Sequence, residues 1–250
     1  MTADLREWMC DAANLHGREA ILMHRLSFDI QLAAARGGYY LNTYYDDVDH
    51  DGFDLIFDDQ DTIKKTQVKT VEAKAATGQW DIHKRIFRPS FDHLGKLGFE
   101  SSPEGEGIEG GFILMQFDAS APDLAVKYFY SDLFIRLAFE CGVIQRRHAG
   151  SQKAVKDCLK DLQRGLGHER VSVPRALLVE AKGPDELLAL GGLHSRADFQ
   201  WKHHMFLIAN HVRPFARGDM SLPQPLPAMK QLAADEIRVL VADHDLINVA

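Results

Sequence analysis

Asp51-Gly52-Phe53-Asp54-Leu55-Ile56-Phe57, followed by Thr66-Gln67-Val68-Lys69-Thr70, is the most informative part of the chain. Both segments mix β-branched or aromatic residues with polar ones, which is typical of β-strands. Asp54 and Lys69 lie 15 positions apart, which leaves room for a strand, a turn and a second strand. Since side chains alternate along a strand, Gln67 and Lys69 are expected on one face, with the residue between them in a core.

The residues on either side extend this pattern into an order of helix and strands. Apolar residues recur at helical spacing through residues 3–36, and Gly37-Gly38 is expected to end that helix. Residues 39–45 are rich in aromatic side chains and predict a strand, before strands expected over residues 53–58 and 63–71. The chain therefore opens with a helix and three strands, the beginning of an α/β fold.

The remainder of the chain also alternates between helix and strand. Residues 80–97, which contain Pro89, are predicted as helix or loop, and residues 101–111 as a surface loop. Strands are then expected over residues 112–117, 125–130 and 176–179, and helices over residues 132–141, 152–166, 185–190 and 197–211. An extended connector is predicted over residues 214–227, which contain four prolines.

Length and composition are those of an ordinary globular protein. The chain has 250 residues, of which 46% are hydrophobic, enough for one large domain or a core with a smaller appendage. Its apolar runs are shorter than the roughly 18 residues that a membrane span needs, so no membrane partner is expected. The start lacks the pattern of a secretory signal, and three scattered cysteines have neither disulfide nor metal spacing. A cytoplasmic location is the expectation.

Charge is distributed unevenly along the first hundred residues. Residues 46–61 contain eight acids and no Lys or Arg, whereas residues 62–96 contain eight bases and three acids. The net charge of -7 argues against indiscriminate binding of polyanions. An acidic turn beside a basic flank suits a site that holds cations and attracts a phosphate chain, although two solvated faces of opposite sign explain the pattern equally well.

The residue types at this turn and hairpin suit the hydrolysis of a phosphodiester. A metal ion can polarise the phosphoryl oxygen and generate hydroxide, and oxygen ligands are those that Mg²⁺ prefers. Asp54 is the candidate for the central ligand, and Gln67 can orient water or bind the metal through its amide oxygen. Lys69 can stabilise the developing negative charge. A further acid is needed, and Glu19 on the first helix is the candidate.

These residues resemble the PD-(D/E)xK nuclease superfamily, in the variant where glutamine replaces the second acid. That variant is familiar from Mrr-like restriction enzymes and from nuclease effectors of anti-phage systems. The resemblance implies a helix that carries a glutamate, then a meander with Gly-x-Asp and Gln-x-Lys. Here these elements are Glu19, Gly52-Phe53-Asp54 and Gln67-Val68-Lys69. The chain departs from the family in lacking a Pro-Asp pair, and Asp51 competes with Asp54 as the ligand.

The resemblance implies a restriction-endonuclease-like core, a central mixed β-sheet flanked by helices, over residues 1–145. Residues 146–250 are expected to form a mostly helical C-terminal extension packed on that core. The implied activity is that of a Mg²⁺-dependent DNA endonuclease in defence against foreign DNA, with Mn²⁺ able to substitute for Mg²⁺. DNA is the expected partner, together with a second copy of the chain or a partner defence protein. If Glu19 faces outward, the alternative is an inactive nuclease fold that serves as a DNA-binding or assembly module.

Other patterns compete with this interpretation. Residues 47–58 imitate the twelve-residue calcium loop of an EF-hand, which predicts a calcium-stabilised interaction protein instead. Glu72-Ala73-Lys74 and Glu180-Ala181-Lys182 each repeat the Glu-x-Lys spelling. His203-His204 and His211 have helical spacing but no partner that completes a zinc set. The bases of residues 146–164 either extend a nucleic-acid surface or cover a solvated helix.

Overall fold

The computed structural model describes residues 4–45, 52–120, 124–164, 170–197 and 200–248. The helices are α1 (Leu5–Cys10), α2 (Leu15–Arg36), α3 (Leu133–Glu140), α4 (Ala149–Gln163), α5 (Pro184–Gly191), α6 (Trp201–Val212) and α7 (Leu226–Leu240). The strands are β1 (Asn42–Tyr45), β2 (Leu55–Asp58), β3 (Ile63–Glu72), β4 (Gln79–His83), β5 (Gly111–Asp118), β6 (Ala125–Asp132), β7 (Ile144–Arg146), β8 (Arg170–Pro174), β9 (Val179–Glu180) and β10 (Leu246–Asn248).

A mixed sheet of six strands forms the centre of the protein, in the order β1-β2-β3-β5-β6-β9. The first three strands make an antiparallel meander, and β5 then runs parallel to β3. Strands β6 and β9 return to antiparallel pairing. Helices flank this sheet, so the predicted α/β class with a central mixed sheet is confirmed.

Helix α2 covers one face of the sheet. Its buried positions, Leu22, Leu26 and Ile30, recur every four residues and pack in the larger apolar core, which also contains Val68 of β3. Backbone N–H groups of Gly37 and Gly38 bond to the last carbonyls of the helix, so the predicted stop at these glycines is confirmed. This face of β3 is therefore the structural face of the sheet.

The opposite face carries a second, smaller apolar core. Phe112 and Leu114 of β5 pack there with Trp80 and Ile82. Strand β4, which supplies the last two, pairs with β8 in a separate two-stranded sheet. The prediction of helix or loop across this segment was wrong at its start: alternate burial of side chains makes residues 79–83 a strand.

The C-terminal part is integrated with the earlier strands. Residues 146–250 contribute helices α4 to α7, but β8, β9 and β10 pair with β4, β6 and β7 respectively. Helices α6 and α7 pack in the larger core through residues such as Met205, Ile208 and Ile237. In the described ranges, none of the helices is long and apolar enough to cross a membrane.

Candidate active site

Strand β3 presents Gln67 and Lys69 on the face of the smaller core. Its parallel register with β5 sets Gln67 beside Phe112 and Lys69 beside Leu114, and both β5 residues belong to that core. Val68 points the other way and packs under α2. The alternation expected from the sequence therefore holds, and one amide and one lysine lie on a common surface.

Asp54 is fixed at the entry to β2 by two contacts with β3. Its backbone N–H donates to the carbonyl of Thr66 at 2.9 Å. Its Oδ2 accepts the backbone N–H of Val68 at 2.6 Å. Since Leu55 pairs with Thr66, Asp54 is level with Gln67, and the structure brings these two predicted residues together on neighbouring strands.

Gln67 is held by a residue that sequence reasoning missed, His83 at the end of β4. The Gln67 side chain is 2% exposed, and its Oε1 accepts the backbone N–H of His83 at 3.2 Å. The His83 ring lies against Gly52, because a Cβ added to Gly52 would be only 2.3 Å from the Cδ2 of His83. Gly52 also has a φ of 75°, which favours glycine.

The imidazole of His83 brings an unused polar atom to this surface. Its Nδ1 is buried and has no hydrogen-bond partner among the described residues, an uncommon state for a buried polar atom in a folded protein. The signal that could have located it was the alternation of Trp80 and Ile82, which identifies β4 and places His83 near its end.

Lys69 supplies a positive charge to this surface. Its side chain is half-buried and makes no hydrogen bond or ion pair with any other described residue. A lysine beside a carboxylate and an amide, with its charge uncommitted to the fold, can bind an anionic substrate or stabilise negative charge that develops on it.

Glu19 is not brought to this surface. It is exposed near the N-terminal end of α2, and α2 packs on the face of the sheet opposite Gln67 and Lys69. Its carboxylate makes no hydrogen bond or ion pair with the described residues. Of the four residues predicted from sequence, Asp54, Gln67 and Lys69 share one surface and Glu19 lies apart from it.

The donor set for a metal is partial within the described residues. Across those ranges, no three His, Cys, Asp or Glu side chains are grouped closely enough to hold an ion. Asp54 and Gln67 supply a carboxylate and an amide oxygen, which suit Mg²⁺, an ion that keeps several waters and often takes one or two protein carboxylates. The acids at positions 46, 47, 49 and 51 lie outside the described residues.

The basic residues of the segment 62–96 are less accessible to a nucleic acid than the sequence suggests. Lys64 and Lys84 are buried, so their charges serve the interior rather than an external phosphate chain. On α4, Lys153 bonds to Asp157 at 2.5 Å, and the other exposed bases alternate with acids. Most of the charge expected to attract nucleic acid is therefore already paired or covered.

The competing sequence patterns have structural roles. The second half of the calcium-like run is β2, which pairs on both sides, instead of the end of a loop that leads into a helix. Glu72 accepts the backbone N–H of Lys74 in a turn at 2.6 Å. Glu180 bonds to Lys127 at 2.9 Å, and His204 bonds to Glu236 at 2.8 Å.

Comparisons with known proteins add no assignment: no protein-family model, curated protein or solved structure matches this chain.

Proposed function

We propose that this protein is a Mg²⁺-dependent nuclease that hydrolyses phosphodiester bonds of DNA. The observation that carries the proposal is the arrangement of Asp54, at the entry to β2, next to Gln67 and Lys69 on the neighbouring strand β3. A carboxylate, an amide and a lysine without a partner among the described residues, at this spacing, are the groups that the Gln-x-Lys variant of the PD-(D/E)xK superfamily uses. The proposed role in defence against foreign DNA rests on the resemblance alone.

The order of elements supports the same assignment. Helix α2 is followed by the meander β1-β2-β3, and β5 then lies parallel to β3. The Gly-x-Asp sequence stands at the entry to β2, and the Gln-x-Lys sequence stands in the middle of β3. These are the positions that a restriction-endonuclease-like core requires.

Each residue has a distinct part in the proposed chemistry. Asp54 and Gln67 would hold the metal ion, and Mg²⁺, when bound, polarises the phosphoryl oxygen and acidifies its bound water. The hydrogen bond from Val68 fixes the Asp54 carboxylate, while burial fixes the Gln67 amide, so neither group loses much freedom when substrate binds. Lys69 lies on the same face and stabilises the charge that develops on the phosphate.

A second candidate function is that of an inactive nuclease fold that binds DNA or assembles with a partner. The position of Glu19, exposed and on the opposite side of the sheet, favours it. So does the partial set of acids in the described ranges. A domain of this kind would bind DNA with an affinity that falls as salt rises, and would leave the phosphodiester bonds intact.

Cleavage assays with Mg²⁺, Mn²⁺ or EDTA separate the two candidates. Plasmid DNA, single-stranded DNA and RNA serve as substrates for the wild-type protein, Asp54→Asn and the control Lys74→Ala, whose lysine is exposed after β3. Metal-dependent cleavage that Asp54→Asn loses and Lys74→Ala retains supports the nuclease. Binding of DNA by wild type with no cleavage under any metal condition supports the inactive module, and equal cleavage by all three proteins contradicts the proposed site.

A further inference from the structure

A pocket of about 580 Å³ lies outside the candidate active site and shares no lining residue with it. Its walls come from the segment after β4, from the end of α3 and from the segment after α6. Arg88, Phe99, Glu140 and Arg213 are among the residues that line it. A volume of this size is within the usual range for pockets that bind small molecules.

Three guanidinium groups surround one aromatic ring beside this pocket. The guanidinium carbons of Arg88, Arg136 and Arg213 lie 5.8, 5.0 and 4.1 Å from the centre of the Phe99 ring. In the described part of the chain, Glu140 supplies the carboxylate that bonds to two of them, to Arg136 at 2.9 Å and to Arg213. Three positive charges thus meet one hydrogen-bonded carboxylate, while Glu106 and Glu104 also attract Arg88 without a hydrogen bond to it.

The arginines at the pocket have hydrogen-bonding capacity that the protein does not use. Arg88 is 4% exposed, and within the described residues its guanidinium donates only to the carbonyl of Glu100, at 3.0 Å. The Nε atoms of Arg88 and Arg213 and the Nη2 of Arg136 are buried with no partner in the part of the chain that the structure describes. Burial, and then the charge of Arg136, lower the pKa of Arg88. Buried guanidinium groups normally satisfy their N–H donors, so within the described residues this cluster lacks an acceptor.

The mouth of the pocket restricts what that acceptor can be. Glu100 and Glu104 are exposed lining residues, and their carboxylates oppose the entry of an extended polyanion such as a nucleic-acid strand. Phe215 also lines the pocket and is 82% exposed, which offers an aromatic surface to the apolar part of a ligand.

We propose that this pocket binds a small organic phosphomonoester, with its dianionic phosphate at Arg88 and Arg213 and its apolar body toward Phe215. A phosphate group presents three acceptor oxygens to these guanidinium groups, whereas a carboxylate presents two. Guanidinium forks also suit the oxygens of a phosphate group. The site is independent of the proposed nuclease site.

Calorimetric titration with phenyl phosphate tests this site. We expect wild type to bind with a Kd below about 1 mM, and benzoate to bind at least about 10-fold more weakly. Arg88→Gln and Arg213→Gln should each weaken phenyl phosphate binding by about 10-fold or more, since each removes charged hydrogen bonds. Arg36→Gln removes an exposed arginine on another surface and should leave the affinity unchanged. Circular dichroism checks that each variant is folded.

Two further arms make the result decisive. Lys69→Ala should bind phenyl phosphate as wild type does; loss of binding in that variant with retention in Arg88→Gln would place the phosphate at the other site and overturn the proposal. Lack of binding by wild type overturns it whatever the variants do, and so does benzoate binding that equals that of phenyl phosphate. Since the titration needs no cleavage, failure of the nuclease proposal leaves it unaffected.

Discussion

Lys64 and Lys69 belong to the same strand, β3, yet their charged groups differ in the hydrogen bonds and ion pairs that they make. Lys64 is 7% exposed, and its Nζ donates to the carbonyl of Glu109 at 2.7 Å and lies 3.5 Å from the Asp132 carboxylate. Lys69 is half-buried and has no such partner among the described residues. The charge of Lys64 is paired within the protein, whereas the charge of Lys69 is available to a bound ligand.

The two faces of the sheet differ in the same way. Beneath α2, the Tyr128 hydroxyl donates to Asp29 at 2.6 Å, and Arg25 also bonds to Asp29, at 2.8 Å. On the other face, where the backbone of His83 bonds to Gln67, the Nδ1 of His83 is buried without a partner among the described residues. Asp29 is thus paired on the α2 face, whereas Lys69 and the His83 ring have no hydrogen-bond partner among the described residues on the opposite face.

Lys64→Ala should produce the largest change in stability. It removes one lysine from a buried cluster in which Asp132 also bonds to Lys202 at 2.6 Å and accepts from Tyr130. Breaking a buried ion pair costs about 3–5 kcal/mol, and denaturant unfolding should report a loss near the lower end because Lys202 remains. A loss below about 1 kcal/mol would remove the contrast between the two lysines.

Lys69→Ala should show the reverse pattern. We expect the rate of Mg²⁺-dependent DNA cleavage to fall by about 100- to 1,000-fold, the usual effect of removing a group that stabilises the transition state. The free energy of unfolding should change by no more than about 0.5 kcal/mol, as for a surface substitution. Lys74→Ala is the matched control; a cleavage rate in Lys69→Ala equal to that of the control contradicts the assigned role.

Gly52→Ala tests the packing of the His83 ring against Gly52. The added methyl group would meet the His83 ring, and a φ of 75° is unfavourable for alanine. We expect a destabilisation of about 1–3 kcal/mol, measured by denaturant unfolding, with a lower cleavage rate because His83 must move. Gly78→Ala is the control, since a Cβ there meets no atom within 4 Å. Equal stability of the two variants would show that His83 does not pack on Gly52.

The most gradual expected effect, spread over several pH units, is a pH dependence on the structural side of the comparison. Burial lowers the pKa of Lys202 to about 7, against the attraction of Asp132. The unfolded chain, with an ordinary lysine pKa near 10.4, then binds more protons between about pH 7 and 10, so stability rises with pH in that window by at most about 1.4 kcal/mol per unit. Unfolding of Lys202→Met should lack this rise; parallel curves for the two proteins would contradict it.

Local patterns were enough to predict much of the fold and the shared position of three of the four candidate residues. A period of two along β3 set Gln67 and Lys69 on one face, and helical spacing with Gly37-Gly38 defined α2. The sequence could not tell which face of the sheet α2 would cover, because that depends on how distant segments pack together. Glu19 was therefore expected at the site and lies elsewhere.

The same reason explains why His83 was missed. Its strand, β4, is short and pairs only with β8, which is distant in sequence, so its identity depends on a non-local partner. The arginine pocket was equally hidden, because Arg88, Arg136 and Arg213 come together only through the packing of separate segments around Phe99.

Anomalous diffraction from crystals soaked in Mn²⁺ would locate the metal without any assay of activity. We expect a peak within coordination distance, about 2.0–2.4 Å, of the Asp54 carboxylate and the Gln67 amide oxygen. A peak elsewhere in the molecule, or none at millimolar Mn²⁺, would contradict the assignment of this face of the sheet as a metal-dependent phosphodiesterase site.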